Sequence, residues 1–367
     1  MLRDHWYPIA RSRDIPASQQ YGFTLFGEPL VAFRDAQGKV HCLEDRCAHN
    51  CAPLSMGKVV NGQLQCGYHG WRFGGDGRCV HIPSLPEKTP IPPRAFVKGR
   101  PTVERHGLVW IWPGAAGAAD PSAIPHYPEH DHPDWWVCLD DEMTVNGSTV
   151  LEFDQALFIE NVLDPSHLPF LHDGTIGREG EAQPLRMVEH RIEADGHLYA
   201  KYESTRDPPM RVLGPGFWFD PPCHVRVDRP EGTFRRVYHV LPVEPGKCRV
   251  LWWIAWRIDS LDAETRASLG DPEKRKELES QWLARQLRIF VQDVPMLAAT
   301  QKRISMGAQP YNCPVRGDGI SVRYRRWRDR NEDENTWFKR WAPEPRGRSE
   351  EEAPESGEEP RSVVKIA

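Results

Sequence analysis

The chain of 367 residues is marked first by what it lacks. No run of about 18 apolar residues occurs, so no transmembrane helix is expected. The first residues, MLRDHWYPIARSRDIP, hold no apolar core of a secretory signal, so a cytoplasmic protein is expected. Neither sign of charge is in large excess: the net charge is −5, which gives no reason to expect a nucleic-acid partner. No GxGxxG follows a strand-like run, and no plant-type C-x4-C-x2-C run occurs. These absences exclude a resident dinucleotide site and a ferredoxin centre of that type. The nine cysteines have no regular frame, which argues against a disulfide scaffold. Four of them crowd between Cys42 and Cys66, a distribution better suited to metal binding in a reducing compartment.

What is present divides the chain in two. Residues 1–115 read as short strands and turns. FTLFGEPLVAF has apolar runs broken at Gly27-Glu28, VAFRDAQGKVHCLE is a hairpin with Gly38 in its turn, and GLVWIWPG is a buried strand stopped by Pro113. A Gly-, Ala- and Pro-rich stretch follows as a linker. A second domain is expected over 134–343. EFDQALFIENVL has helical apolar spacing, LRMVEHRIEADGHLYAKYES alternates around Asp195-Gly196, and TFRRVYHVLPV and CRVLWWIAWRI are further strands. A long helix begins near Pro272, kinked or restarted at Pro295. Helices against an antiparallel sheet make an α+β domain. Residues 344–367 are charged and poor in apolar residues, so a disordered tail is expected.

Two constellations carry chemistry. The first is Cys47-x-His49, sixteen residues, then Cys66-x-x-His69. Zinc accepts such a Cys2His2 set, but zinc fingers pair their cysteines first. Here each loop supplies one Cys and one His, which suits a two-iron cluster clamped from both sides. The second is Asn161-x-x-Asp164-x-x-His167-x4-His172. On a continuous helix Asp164 and His167 share a face, while His172 lies about 140° from His167. Pro169 lies between the histidines and is expected to break the helix, letting His172 turn back. Two histidines and one carboxylate form the facial triad of non-haem Fe(II) oxygenases.

CAHNCAPLSMG, CGYHGWRFGGDGRCVHIPS, HWYPIA, ENVLDPSHLPFLH and ISVRYRRWRDR together resemble the Rieske non-haem iron oxygenases. The likeness is to the pheophorbide a oxygenase and chlorophyllide a oxygenase subgroup. The resemblance implies an N-terminal Rieske antiparallel β domain holding a [2Fe–2S] cluster through Cys47, His49, Cys66 and His69. A helix-grip catalytic domain, an antiparallel sheet with long helices, would follow, holding mononuclear Fe(II) at His167 and His172. Its third ligand would be a downstream carboxylate, Asp293, with Asp318 and Glu277 as competitors. Asp164 would carry electrons from one subunit's cluster to its neighbour's iron in a homotrimer, and Asn161 either bonds near the iron or satisfies backbone.

By the same resemblance, a separate reductase or ferredoxin would supply electrons. One atom of O2 would enter a small aromatic or tetrapyrrole-like substrate, hydroxylating, demethylating or ring-opening it. The alternative is an electron-transfer or redox-sensing protein that keeps only the cluster. Respiratory Rieske proteins carry an extra cysteine in each box and a Ser donor near the cluster. Here Tyr68 and Trp71 stand in those places, and Cys51 is expected to be a free buried thiol. Fewer hydrogen bonds to sulfur place the expected potential near the low end of the Rieske range, about −150 mV. The remaining cysteines, Cys313 included, are read as packed apolar residues. Phe217, Trp218 and Phe219 either line a pocket for a flat ligand or pack as core, and the arginines of RYRRWRDR flank a packed face of Val322, Tyr324 and Trp327.

Overall fold

The computed structural model describes residues 2–204, 216–229, 232–309 and 313–331. The expected tail, 344–367, lies outside them. Among the described residues no helix is long and apolar enough to cross a membrane.

The N-terminal part is built of small antiparallel sheets. Tyr7–Arg11, Leu108–Ile111 and Thr102–Arg105 form one. Tyr21–Leu25, Glu28–Arg34, Val40–Glu44 and Gly99–Arg100 form a second, with Gly38 at positive φ in the expected hairpin turn. Lys58–Val60, Gln63–Gln65, Arg72–Phe73 and Cys79–His81 form a third. Val31, Phe33, Leu43, Leu54, Leu64 and Phe73 pack between the second and third sheets as a small core that includes Cys47 and Cys66.

The second part holds a seven-stranded antiparallel sheet. Its spatial order is Trp135–Glu142, Lys247–Arg257, Phe234–Glu244, His224–Asp228, Gly216–Asp220, Leu198–Ser204, Leu185–Ile192. The two long central strands, Phe234–Glu244 and Lys247–Arg257, are buried along most of their length instead of alternating. Both their faces are covered, which favours near-continuous apolar runs. Helices α1 (Gln155–Leu163), α4 (Pro272–Ser305) and α5 (Gly319–Asn331) lie on one face. The short helices α2 (Leu168–Leu171) and α3 (Ala263–Leu269) complete the helical set. The N-terminal strands cover the other face: Trp110 packs edge-on against His224 and His239. Arg249 ties the two parts together, donating to Glu142 at 2.6 Å, to the Ile9 carbonyl at 3.2 Å and to the Tyr21 hydroxyl.

One expectation changes here, and one open alternative is decided. Helix α4 runs unbroken through Pro295. Pro295 and Val291, whose carbonyl loses its partner, both lie on the exposed side, where water can serve it, while Phe290, Asp293 and Leu297 hold the buried side. Phe217 and Phe219 are buried on the helical face, Phe219 against Tyr324 and Trp327. Trp218 points the opposite way, onto Tyr199. Strand alternation therefore prevents the three from lining one pocket.

The seam between the two parts has a consequence for acid stability. His224 and His239 are fully buried, with their Nδ1 atoms 2.8 Å apart. Burial pushes His224 down to about 3 and His239 well below its ordinary value, where the neighbouring His224 adds to the effect. Both are neutral in the fold above those values, whereas the unfolded chain protonates them near 6.5. Their stabilisation is thus whole above about pH 6.5 and drains as pH falls, by up to about 1.4 kcal/mol per pH unit for each. The urea midpoint should drop between pH 7 and pH 5, with a shallower drop in His239→Gln. Equal slopes in the two proteins would contradict this.

Candidate functional site

The first candidate site is the tip formed by two loops. Cys47 and Cys66 are 2% and 1% exposed, and the His49 and His69 rings lie 4.6 Å apart at the surface beside them. The loops are held by backbone bonds: Cys47 N–H to the Ala52 carbonyl, and Cys66 N–H to the Trp71 carbonyl, both at 2.8 Å. Gly70, at φ 70°, returns the second loop, its N–H reaching the Cys66 carbonyl. Burial, together with the adjacent Cys66, pushes the Cys47 thiol up to about 11, while the N–H groups of His49 and Asn50 act against the shift. Two thiols so placed can ionise together only beside a cation, and this donor set suits one. The chemistry of the four residues therefore fits a [2Fe–2S] cluster with two Cys and two His ligands.

The surroundings bear on potential. Trp71 stacks on His49 at 4.6 Å and 5°, and the Tyr68 N–H points at the Cys66 sulfur at 3.5 Å. Neither side chain donates a hydroxyl to sulfur, so redox titration should give a midpoint near about −150 mV; one above about +100 mV would contradict the reading. Cys51 is free as expected but exposed, not buried. Its backbone sits at φ 57° on the loop tip, where its N–H closes the turn onto the Cys47 carbonyl. Cys313 is also exposed, where burial was expected.

The second candidate site joins α1, the turn after it and α4. Helix α1 starts at the N-cap Asp154, whose side chain accepts from the Ala156 N–H. It ends at Asp164 because Pro165 follows: the residue before a proline is driven to extended backbone, and Asp164 has φ −105° and ψ 100°. The break therefore comes at Pro165, not at Pro169, which sits comfortably in the first turn of α2. The Asp164 carboxylate caps the next turn, accepting from the Ser166 N–H at 2.8 Å. His172 closes α2, so its ring turns back toward His167, 5.2 Å away.

Asp293 meets both rings from α4. Its Oδ1 lies 3.8 Å from His167 Nε2 and 3.3 Å from His172 Nε2. One donor atom from each of the three lies within 4.8 Å of the others, the sole such set among the described residues. Asp318 and Glu277 do not join it. The remaining contacts set tautomers. His167 Nδ1 donates to the Asp164 carbonyl at 2.6 Å, and His172 Nδ1 donates to Gln292 Oε1 at 3.1 Å. Gln292 Oε1 also accepts from Thr175 Oγ1 at 2.8 Å, which fixes the amide's orientation. Both Nε2 atoms therefore face Asp293, the arrangement a metal needs.

Burial lowers the His167 pKa although Asp293 opposes it. At His172 burial also disfavours charge, but Asp293 and Gln292 together outweigh it and raise the value. Asn161 resolves in favour of the site: its Nδ2 donates to Asp293 Oδ1 at 3.1 Å. The Asp154 N–H donates to Gln301 Oε1 at 2.8 Å, fixing α1 against α4. Gln292 was visible in the sequence only as the neighbour of Asp293. The ties made by Thr175 and Gln301 gave no signal there, because each depends on how α1 and α4 cross.

Comparisons with known proteins agree with this layout. Residues 5–98 match the Rieske [2Fe-2S] domain, and residues 153–334 match the vanillate O-demethylase oxygenase C-terminal domain. Chlorophyllide a oxygenase of Chlamydomonas reinhardtii is 31% identical over 333 residues, 89% of this chain and 48% of that protein. The toluene-4-sulfonate monooxygenase system iron-sulfur subunit of Comamonas testosteroni is 36% identical over 197 residues, 54% of each chain. Among solved structures, dicamba monooxygenase bound to dicamba superposes with a TM-score of 0.71 at 25% identity, covering 90% of this chain and 97% of that one. This chain spans about half the length of curated relatives it matches. The two matched domains, in this order, define a Rieske domain joined to an oxygenase domain. The chain belongs to the Rieske non-haem iron oxygenase family. The Rieske domain binds a [2Fe–2S] cluster, and the catalytic domain of this family uses mononuclear iron.

Proposed function

We propose that the chain is the oxygenase component of a Rieske monooxygenase. Cys47, His49, Cys66 and His69 hold its cluster, and His167, His172 and Asp293 hold its mononuclear iron. The observation that carries this reading is the convergence of two Nε2 atoms on a buried Asp293, with both tautomers set from behind. When bound, the cluster supplies electrons singly and the ferrous ion supplies open positions for O2 and substrate.

The chain's own groups do the positioning. Gln292 and the Asp164 carbonyl hold the Nδ1–H of each imidazole and aim both Nε2 atoms at one point. Asn161 holds one Asp293 oxygen, leaving the carboxylate a single productive orientation. Overall, substrate, O2 and two electrons with two protons give a hydroxylated product and water. On a methyl bound to oxygen or nitrogen, that hydroxylation leads to loss of the methyl as an aldehyde.

The electrons come from a separate reductase or ferredoxin. The active form is a homotrimer in which the cluster tip of one protomer docks near Asp164 of the next. Exposure supports this: His49 and His69 are exposed at the tip with Tyr68 and Met56, and Phe170 is exposed beside the Asp164 turn. A reducing compartment, the cytoplasm, suits nine free cysteines. The names of the relatives point to aromatic or tetrapyrrole-like substrates. Oxygen uptake driven by NADH and a reductase, across methoxy-arenes, aromatic acids and porphyrins, tests the function. Substrate-dependent uptake with a hydroxylated or demethylated product is expected. Product-free electron transfer by fully iron-loaded protein across the whole panel would overturn it.

A further inference from the structure

The arginine-rich helix α5 supplies nothing to the two metal centres, yet its arginines are not all solvated. Arg325 and Arg328 are three residues apart and share a face of the helix. Arg328 is buried and Arg325 is partly buried, while Arg326 between them is exposed. Arg325 Nη2 donates to Glu160 Oε2 at 2.6 Å. Glu160 belongs to α1 and is 5% exposed, a degree of burial that carboxylates seldom reach unpaired. Its Oε1 has no hydrogen-bond partner among the described residues, so the carboxylate hangs on Arg325. Burial raises the Glu160 pKa, and Arg325 and then Arg328 oppose the rise. At the N-cap of α1, burial pushes Asp154 up to about 6, with Arg328 the largest opposing charge. The polar side of α1 therefore faces the cationic side of α5.

Helix α5 is itself fixed to the sheet. Tyr324 and Trp327 pack on Phe219 at 4.7 and 4.9 Å. Each precedes one of the two buried-side arginines, so the aromatic stripe lies about 100° round the helix from the cationic one. Just before α5, the Gly317 carbonyl accepts from the Tyr202 hydroxyl at 3.3 Å. One side of α5 is thus seated on the sheet, and the next side grips α1.

The grip falls on the turn that serves the metal site. The Glu160 carbonyl accepts from the Asp164 N–H at 3.0 Å, the bond that closes α1. The next residue, Asn161, donates to Asp293 Oδ1 at 3.1 Å, and the Asp164 carbonyl accepts from His167 Nδ1 at 2.6 Å. Helix α1 has nine residues, too few to be stable without tertiary ties, and helix ends fray first. Among the described residues, Glu160–Arg325 is the sole ion pair that α1 makes.

We infer that Arg325 is a positioning residue: by holding Glu160 it fixes the last turn of α1, and through that turn the bonds that aim Asp293 and His167 at the metal. The inference rests on the oxygenase reading, which makes His167, His172 and Asp293 an iron site. Arg325 acts only through Glu160, and α5 carries the sheet's rigidity to α1. A guanidinium suits this task because its planar fork sets direction as well as distance. Removing it leaves a buried carboxylate unpaired, which favours displacement of that turn.

The test is anaerobic titration of Fe(II) into enzyme whose mononuclear site has been emptied by chelation and whose cluster is retained. Arg325→Met keeps the length of the side chain and removes its charge. It should weaken iron binding about 10-fold, the low end for a residue behind a metal ligand. Arg325→Lys keeps the charge without the fork and should fall between Arg325→Met and wild type. Nitric oxide added to the ferrous site gives an EPR signal that reports the ligand arrangement, and this signal should change in Arg325→Met. Arg326→Met, at the exposed neighbour, should match wild type in both readouts. His239→Gln, on the far face of the sheet, controls for stability and should keep wild-type iron affinity whatever its melting temperature. Cluster absorbance and melting temperature report folding; if Arg325→Met does not fold, Arg325→Lys decides in its place. The proposal is overturned if the deciding variant binds iron as tightly as wild type with an unchanged EPR signal. It is also overturned if His239→Gln loses iron affinity in step with its melting temperature. Wild type that takes up no iron beyond the cluster's sinks the oxygenase reading, and this inference with it. Normal uptake by wild type with unchanged affinity in the deciding variant sinks this inference alone.

Discussion

Asp293→Ala should strip the mononuclear iron and leave the cluster in place, so that iron falls from roughly three atoms per chain to roughly two. Asp293 is 5% exposed and is, among the described residues, the sole carboxylate that joins both histidines in one donor set. Without it two neutral imidazoles remain, and Asn161 loses its acceptor. Even residues behind a metal ligand are commonly worth 10- to 100-fold in metal affinity or activity, so a ligand should cost at least roughly 100-fold. The fold should survive. Asp293 is inside the long helix α4, where alanine is the best helix former, and the buried stripe of Ile289, Phe290 and Leu297 is untouched. Visible absorbance of the cluster should therefore match wild type while substrate-dependent oxygen uptake disappears. Full iron content in the variant would remove Asp293 from the site.

Asp164→Asn should uncouple the two centres without emptying either. The side chain lies outside the set of donor atoms that converge on Asp293, and its backbone carbonyl, which orients His167, is unchanged by the substitution. Asparagine also keeps an oxygen for the Ser166 N–H, so the cap that ends α1 persists. What is lost is the negative charge at a partly exposed position beside the iron histidine, where a neighbouring protomer's cluster would dock. Iron and sulfide content should stay normal, and a reductase should still reduce the cluster at its usual rate. Steady-state turnover should fall about 10- to 100-fold, the scale for losing a carboxylate that would bond a cluster histidine across the protomer contact. Turnover within twofold of wild type would assign Asp164 a capping role alone.

The sites differ in how far the chain revealed them. The cluster box was legible because each loop carries its donors within four residues, and local spacing survives folding. His167 and His172 were legible for the same reason, but the cause of their convergence was misplaced. The effective proline is Pro165, whose influence falls on the residue before it, whereas Pro169 sits where the first turn of a helix tolerates it. Asp293 is more than a hundred residues downstream, and nothing local marks it among the acids of α4. Resemblance pointed to it, and the crossing of α1 and α4 brings it to the histidines.

Exposure was harder to read than position. Cys51 looked like a core thiol, yet its left-handed backbone turns it out to solvent. Whether Trp218 shares a pocket with Phe217 and Phe219 was open in the sequence, and the strand's period of two sends it away from both. The same reasoning explains the histidine pair at the seam. His224 and His239 lie on separate strands and become partners through a ladder that places them directly opposite each other.

Iron and acid-labile sulfide counted together on the purified wild-type chain test the central claim most directly. A cluster joined to a mononuclear site requires about three irons and about two sulfides per chain. Two irons with two sulfides would leave an electron carrier without an oxygenase site, and the absence of sulfide would remove the cluster itself.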